Sequence, residues 1–190
     1  MRKYLPAIVT GVVVTVVVGF LLGLIGFRGF AAWYVPLIAG LFTGYIMANL
    51  QGTKAGPAAP EEQKAAVLGF RPSPGKALII VHRQGFVGKA AGMEVALDDR
   101  VLGQLKSPQF TAVEVDPGAH TLSVGFVGLA AAQNKSDIVQ VTEVEGQVAA
   151  YRATISMGMG KNTIKVERDD DVGTLADDLR RMKMVAPATA

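Results

Sequence analysis

A long stretch with almost no charge near the N-terminus constrains this chain most. Between Leu5 and Leu50, Arg28 is the only residue with a formal charge, and it separates two apolar segments, residues 6–27 and 30–50. At about 1.5 Å per residue, each segment would form a helix about 30 Å long, the thickness of a bilayer's hydrocarbon core. Backbone in lipid must satisfy its own hydrogen bonds, so even the valine-rich first segment is expected to be helical. The sequence therefore predicts a transmembrane helical hairpin.

A cleaved signal peptide is the alternative interpretation of the first segment. Arg2 and Lys3 give it a positively charged start. However, the apolar run is longer than the about 7–15 residues of a signal-peptide core, and a second apolar segment follows at once. We therefore expect the first helix to be retained.

Basic residues near the segment ends predict the orientation. Arg2 and Lys3 precede the first segment, Lys54 follows the second, and the tip between them has only Arg28. Because positive charge favours the cytoplasmic side, both termini are predicted to be cytoplasmic. The expected location is the bacterial inner membrane, crossed more than once.

Both apolar segments carry glycines one helical turn apart. These are Gly19 and Gly23 in the first segment, and Gly40 and Gly44 in the second. Glycines at this spacing let helix backbones approach closely in lipid. They predict either a docking face for another membrane protein or a second copy, or, as we favour, packing of the two helices on each other.

The remaining composition excludes several classes of function. The net charge of +3 is small, and no basic cluster is interleaved with aromatic residues, so nucleic acid is not an expected partner. The chain has no cysteine, which excludes disulfides, thiol catalysis and cysteine-ligated metals.

After the hairpin, the sequence predicts a linker and then a β domain. Residues 51–74 are rich in Pro, Ala and Gly and are expected to form a spacer, although 61–68 are compatible with a short helix. Residues 75–168 contain short apolar stretches separated by turn residues, which predicts an antiparallel β-sandwich of about seven strands. The first stretch, 76–83, has a continuous apolar centre, typical of a strand buried on both faces. The overall prediction is an α+β membrane protein.

The C-terminal residues 169–190 predict an acidic turn, a short amphipathic helix and a tail. Thr174 and Asp177 have the spacing of a capping box, and Leu175, Leu179 and Met182 share one helical face. The sequence leaves open whether this helix lies on the sandwich or on the membrane surface.

The strand and turn signals also carry a family resemblance. The opening Ala-Leu-Ile-Ile-Val-His-Arg at 77–83 is followed by the hairpin at 95–105 and by the turn Pro-Gly-Ala-His-Thr-Leu at 117–122. Over residues 76–167 the chain resembles bacterial PEGA-like and DUF2846-type domains, which are transthyretin-like β-sandwiches. The resemblance implies a fold and brings no catalytic residue with it. This chain differs from many of those relatives because it lacks a lipidation cysteine and has Asp99 where glycine is commoner.

Candidate chemical groups are few. Neither His82 nor His120 has the neighbours of a nucleophile–base pair or of a zinc site, and structural roles are expected for both. The acidic runs 98–99 and 169–171 lack the ligand spacing of a calcium loop and are expected to form a turn and a helix start. The glycine-rich residues 157–161 are expected to form a hairpin turn, because the full phosphate-loop pattern is missing.

One connection is unusually apolar. Val127 and Leu129 lie in it, and they predict either a contact surface for a partner or bilayer, or a loop packed under the sandwich. No cofactor or metal is expected. We therefore predict that the chain is not an enzyme but an accessory or structural subunit of a membrane assembly, in contact with lipid and with another membrane protein or itself. The alternative is an envelope module that binds glycan or peptide.

Overall fold

The fold is α+β and comes from a computed structural model that describes residues 2–54 and 56–188. By its internal contacts the chain divides into two compact units, Met1–Gly52 and Thr53–Ala190. The first unit is helical and the second is rich in strands.

Two apolar helices make up the first unit. After a short 3-10 turn at Arg2–Tyr4, α1 spans Leu5–Leu24 and α2 spans Ala31–Leu50. Both are long and apolar enough to cross a membrane by length and composition. The first helix ends earlier than predicted because Gly26 and Gly29 take positive φ angles of 74° and 83° in the connection.

Among its described residues, 53–54 and 56–188, the second unit contains three helices and ten strands. Its helices are α3 (Glu61–Leu68), α4 (Leu129–Gln133) and α5 (Val172–Arg181). Its strands are β1 (Ala77–Arg83), β2 (Met93–Leu97), β3 (Arg100–Leu105), β4 (Gln109–Val115), β5 (Gly118–Phe126), β6 (Asn134–Lys135), β7 (Asp137–Glu143), β8 (Val148–Ser156), β9 (Asn162–Arg168) and β10 (Lys183–Met184).

The strands form two sheets, most of whose pairs are antiparallel. One sheet has the order β10-β4-β1-β8-β9-β6 and the other has the order β3-β2-β5-β7. The prediction of an antiparallel sandwich is wrong for three pairs, because β1 with β8, β4 with β10 and β6 with β9 are parallel. Several successive strands lie in different sheets, so a strand often pairs with one that is distant in sequence. The count exceeds about seven partly because β6 and β10 have only two residues each.

The six-stranded sheet is buried on both faces, as the composition of β1 predicts. Every residue of β1 is buried. Ile79 and Val81 face the core between the two sheets, whereas Leu78 and Ile80 face a second core.

Helix α5 and the segment that precedes β1 cover the second core. Leu175 and Leu179 of α5 pack there, so the C-terminal helix lies on the sandwich. Val67, Leu68 and Phe70 pack against the same core, although they belong to the segment predicted to be a spacer. The second unit therefore has three layers: helices, a six-stranded sheet and a four-stranded sheet.

The structure confirms one local prediction, the turn between β2 and β3, and contradicts another, the cap of α5. The predicted turn between β2 and β3 is present, with positive φ angles at Asp98 and Asp99 that suit a two-residue hairpin. The predicted capping residue of α5 is wrong. Asp171 is the N-cap, and its side chain accepts a hydrogen bond from the Thr174 backbone N–H. An aspartate three residues earlier offers a stronger acceptor than the predicted threonine.

Candidate functional site

Close backbone contact joins the two helices of the first unit at Gly40. A methyl group on Gly40 would overlap the Thr15 side chain and the Gly11 carbonyl oxygen. On Gly44 it would lie 3.3 Å from the carbonyl oxygen of Ala7. These two predicted glycines therefore lie where α1 and α2 pack on each other.

The other two predicted glycines have more space. A methyl group on Gly19 would lie 3.6 Å from Cγ of Pro36, and one on Gly23 would meet nothing within 4 Å. Both glycines line a groove on the hairpin that also includes Trp33. A role in binding a partner stays a prediction for this pair.

Sequence reasoning missed part of this interface. In α1, Ala7 and Gly11 are the buried residues, and neither belongs to the predicted glycine pair. Ala7, Gly11, Thr15, Gly19 and Gly23 recur every four residues. Counting alanine and threonine as small residues would have revealed the full stripe.

The predicted contact loop is only partly exposed. Val127 and Leu129 are half-buried, and Ala130 of α4 packs into the core between the sheets. Apolar character in this connection is therefore explained partly by packing.

His120 lies in a hydrogen-bonded cluster near the β2–β3 turn. Its Nδ1 lies 2.6 Å from Asp98 Oδ2, and its Nε2 lies 2.8 Å from the Asp116 carbonyl oxygen. The other oxygen of Asp98 accepts a hydrogen bond from the Thr121 backbone N–H at 2.8 Å. The hydrogen bond to Asp98 raises the pKa of His120, and the same bond lowers the pKa of Asp98. Both ring nitrogens are thus engaged in holding turns together.

His82 is enclosed instead of paired at the surface. Its side chain is 1% exposed, and Nε2 lies 3.2 Å from Asp169 Oδ2. Asp169 is also bound by the guanidinium of Arg152. Burial lowers the pKa of His82, outweighing the opposing effect of the Asp169 carboxylate. This buried imidazole has no solvent access for proton transfer.

A buried arginine at the end of β1 organises the following loop. Arg83 is 2% exposed, and its guanidinium donates hydrogen bonds to the carbonyl oxygens of Gly88 (2.7 Å), Ala91 (2.6 Å) and Leu105 (2.9 Å). It also lies 5.2 Å from the centre of the Phe126 ring. Burial lowers the pKa of Arg83 to about 10, so it remains a cation at neutral pH.

The connections at the two ends of the sandwich differ in charge. We call one end the loop end, formed by residues 84–92, 106–108, 127–136 and 157–161. These residues include four lysines and no aspartate or glutamate.

We call the opposite end the acidic end. It is formed by residues 98–99, 116–117 and 144–147, which include four acidic residues and no lysine or arginine. Lys76, just before β1, pairs with Asp116 at 2.8 Å.

The loop end also carries the most exposed apolar side chains of the second unit. Phe86 is 88% exposed, Met157 75% and Met159 fully exposed. By contrast, Phe110, Phe126 and Tyr151 are buried. The described part of the sandwich thus presents one strongly exposed aromatic side chain, Phe86, and no period or motif singles it out in the sequence.

No family model matches this chain, and a search of the curated proteins found no match either. The resemblance to PEGA-like and DUF2846-type domains therefore stays a prediction.

Proposed function

We propose that this chain is a non-catalytic, membrane-anchored module. In this proposal α1 and α2 cross the bacterial inner membrane as a hairpin, which leaves both termini on one side, the cytoplasm. The sandwich is then held at that surface as an accessory or structural subunit of a membrane assembly.

The outer surface of the hairpin carries this proposal. Its exposed side chains are almost all apolar and include Phe20, Leu24 and Leu41, each about two-thirds exposed. Small residues, by contrast, are used between the helices. Soluble proteins rarely expose apolar surface over two helices of 20 residues each. Lipid is the solvent that such a surface suits.

The arrangement of polar groups supports a non-catalytic role. His120 is engaged at both ring nitrogens, His82 is buried, and Arg83 holds backbone carbonyls. His120 and Arg83 therefore hold the structure together, and His82 is shielded from solvent. Among the described residues no cluster of three His, Asp or Glu side chains has the geometry to hold a metal.

The open groove beside Gly23 supports a membrane partner. Since a side chain on Gly23 meets no atom within 4 Å, this part of the hairpin has room for a residue of another helix. A side chain on Gly40 would have no such room. Substitutions at Gly23 and at Gly40 therefore test partner binding and hairpin packing separately.

Co-purification of the full-length chain in mild detergent tests this function. We expect a stoichiometric membrane partner, or a homo-oligomer, that is lost in Gly23→Leu while the variant still inserts. Val9→Leu, on an exposed position of α1, is the matched control and should keep the partner. A single, partnerless chain would contradict the subunit role, and a chain extracted from membranes by alkaline carbonate would contradict the anchor.

A further inference from the structure

We propose that the loop end of the sandwich is a docking surface for the headgroup region of an anionic bilayer. This inference rests on the proposed membrane anchor and adds a second, peripheral contact. It assigns a role to the exposed residues that the fold itself does not use.

Charge is the first argument. The loop end has Lys89, Lys106, Lys135 and Lys161, and Lys183 lies beside it through the pairing of β10 with the first residue of β4. In the adjoining strands Glu94 and Asp137 lie next to this end in sequence, and Asp169 lies 3.2 Å from Nε2 of His82, the residue before Arg83. Asp137 already accepts a hydrogen bond from the Val166 backbone N–H at 2.8 Å. An anionic surface attracts such a lysine cluster and repels the opposite, acidic end.

Exposed apolar side chains are the second argument. Phe86, Met157 and Met159 project from two different connections at the same end, and all three are at least three-quarters exposed. An aromatic ring flanked by lysines is typical of surfaces that enter the headgroup boundary of a bilayer. At the acidic end, by comparison, Val144 is exposed among carboxylates.

The loop that carries Phe86 is held in place by several contacts. Arg83 binds the carbonyl oxygens of Gly88 and Ala91, and the Ser107 hydroxyl donates to the Gly85 carbonyl oxygen at 2.6 Å. The backbone N–H of Ser107 donates to the Lys89 carbonyl oxygen at 3.2 Å. With its carbonyl groups tied inward, the loop presents Phe86 at little further cost in conformational entropy.

Fluorescent labels on the full-length chain test the proposal. The chain has no cysteine, so a single introduced cysteine is labelled uniquely. Gly160→Cys places the label at the loop end in open space, and Val144→Cys places a control label at the acidic end. Each labelled chain is inserted, one per disc, into lipid nanodiscs of phosphatidylcholine alone or with phosphatidylglycerol. A trace lipid carries a nitroxide quencher on its headgroup.

The expected result is quenching at position 160 that is strong in anionic discs, weaker in neutral discs and reduced by salt. The label at position 144 should stay unquenched in both. Equal quenching at the two positions, or none at position 160, would overturn the proposal and leave a protein as the occupant of this surface. Chains that fail to insert would overturn the anchor and the docking surface together, whereas inserted chains without quenching overturn only the docking surface.

Substitutions separate charge from apolar contact. Lys89→Gln combined with Lys161→Gln should lower the ratio of docked to undocked sandwich by at least about tenfold in anionic discs. Phe86→Ser should lower this ratio several-fold in both lipid compositions. Val101→Ser, on an exposed position near the acidic end, is the control and should change nothing. Unchanged docking in both test variants would contradict the assignment of these residues.

Discussion

The two units of this protein bury their interiors in different ways. In the first unit, α1 and α2 meet through backbone at Gly11, Gly40 and Gly44, and large side chains point outward. In the second, large side chains such as Ile79 and Phe110 point inward, and the surface is charged. The hairpin is therefore sensitive to added volume and the sandwich to lost volume. This contrast is expected of one unit suited to lipid and one suited to water.

The largest expected effect comes from adding volume between the helices. Gly40→Leu would overlap the backbone of Gly11, so we expect more than about 3 kcal/mol of lost hairpin stability. Gly23→Leu, which meets no atom within 4 Å, should leave the hairpin intact. SDS titration of detergent-purified protein, followed through the emission of Trp33, the single tryptophan, measures both variants. Equal stability of the two variants would contradict the close helix packing at Gly40.

Removing volume from the sandwich should have the next largest effect. Leu179 of α5 is fully buried in the second core, so Leu179→Ala is expected to cost about 3 kcal/mol of unfolding free energy. Denaturant unfolding, followed by strand circular dichroism, measures it. A loss below about 1 kcal/mol would show that α5 does not cover the sheet. The exposed substitution Val144→Ala serves as the control.

The sequence predicts some elements of this fold and not others. The apolar hairpin, α5 and the longer strands are local patterns that hydrophobic period and turn residues predict, whereas α4, β6 and β10 are not predicted. The helical period predicts the apolar face of α5 that carries Leu175 and Leu179, but it does not predict that this face packs on the sheet. The position of α5 depends on the apolar outer face of β1, where Leu78 and Ile80 would otherwise be exposed to solvent. Pairing of β1 with β8 joins residues about 70 positions apart, and no local signal specifies it.

The candidate sites were less predictable than the fold. The one-turn spacing of two glycines identifies Gly40 and Gly44. It does not identify Gly11, whose neighbours one turn away are Ala7 and Thr15 and not glycines. Phe86 and Met159 were not singled out because their importance lies in exposure at one end of the sandwich. Exposure and the clustering of separate loops are properties of the folded chain, not of a short sequence.

Arg83 is an exception to the apolar interior of the sandwich, because it is a buried charged residue. Arg83→Met would keep much of the side-chain volume but leave the carbonyl oxygens of Gly88, Ala91 and Leu105 without this donor. We expect a loss of about 2 kcal/mol and faster hydrogen exchange in residues 84–92. Hydrogen exchange with mass spectrometry measures the local effect. Unchanged exchange in this loop would contradict the role of Arg83 in holding it.

The smallest expected effect is a pair of opposite pH dependences at the two histidines. The pKa of His120 is raised above the ordinary value of 6.5, so its stabilising contribution is complete below pH 6.5 and is lost as the pH rises through the folded-state pKa. The pKa of His82 is lowered, so its contribution is complete above pH 6.5 and is lost as the pH falls toward the folded-state pKa.

Substitution of each histidine separates these contributions. His120→Gln should destabilise the protein more at about pH 6 than at about pH 8, whereas His82→Gln should destabilise it more at about pH 8. Denaturant unfolding of both variants and the unsubstituted chain at the two pH values measures the difference. If both variants lost stability with the same pH dependence, the buried and the surface imidazole would not differ in protonation. The buried His82 and the more exposed His120 would then make the same pH-dependent contribution to stability, which would contradict their different surroundings.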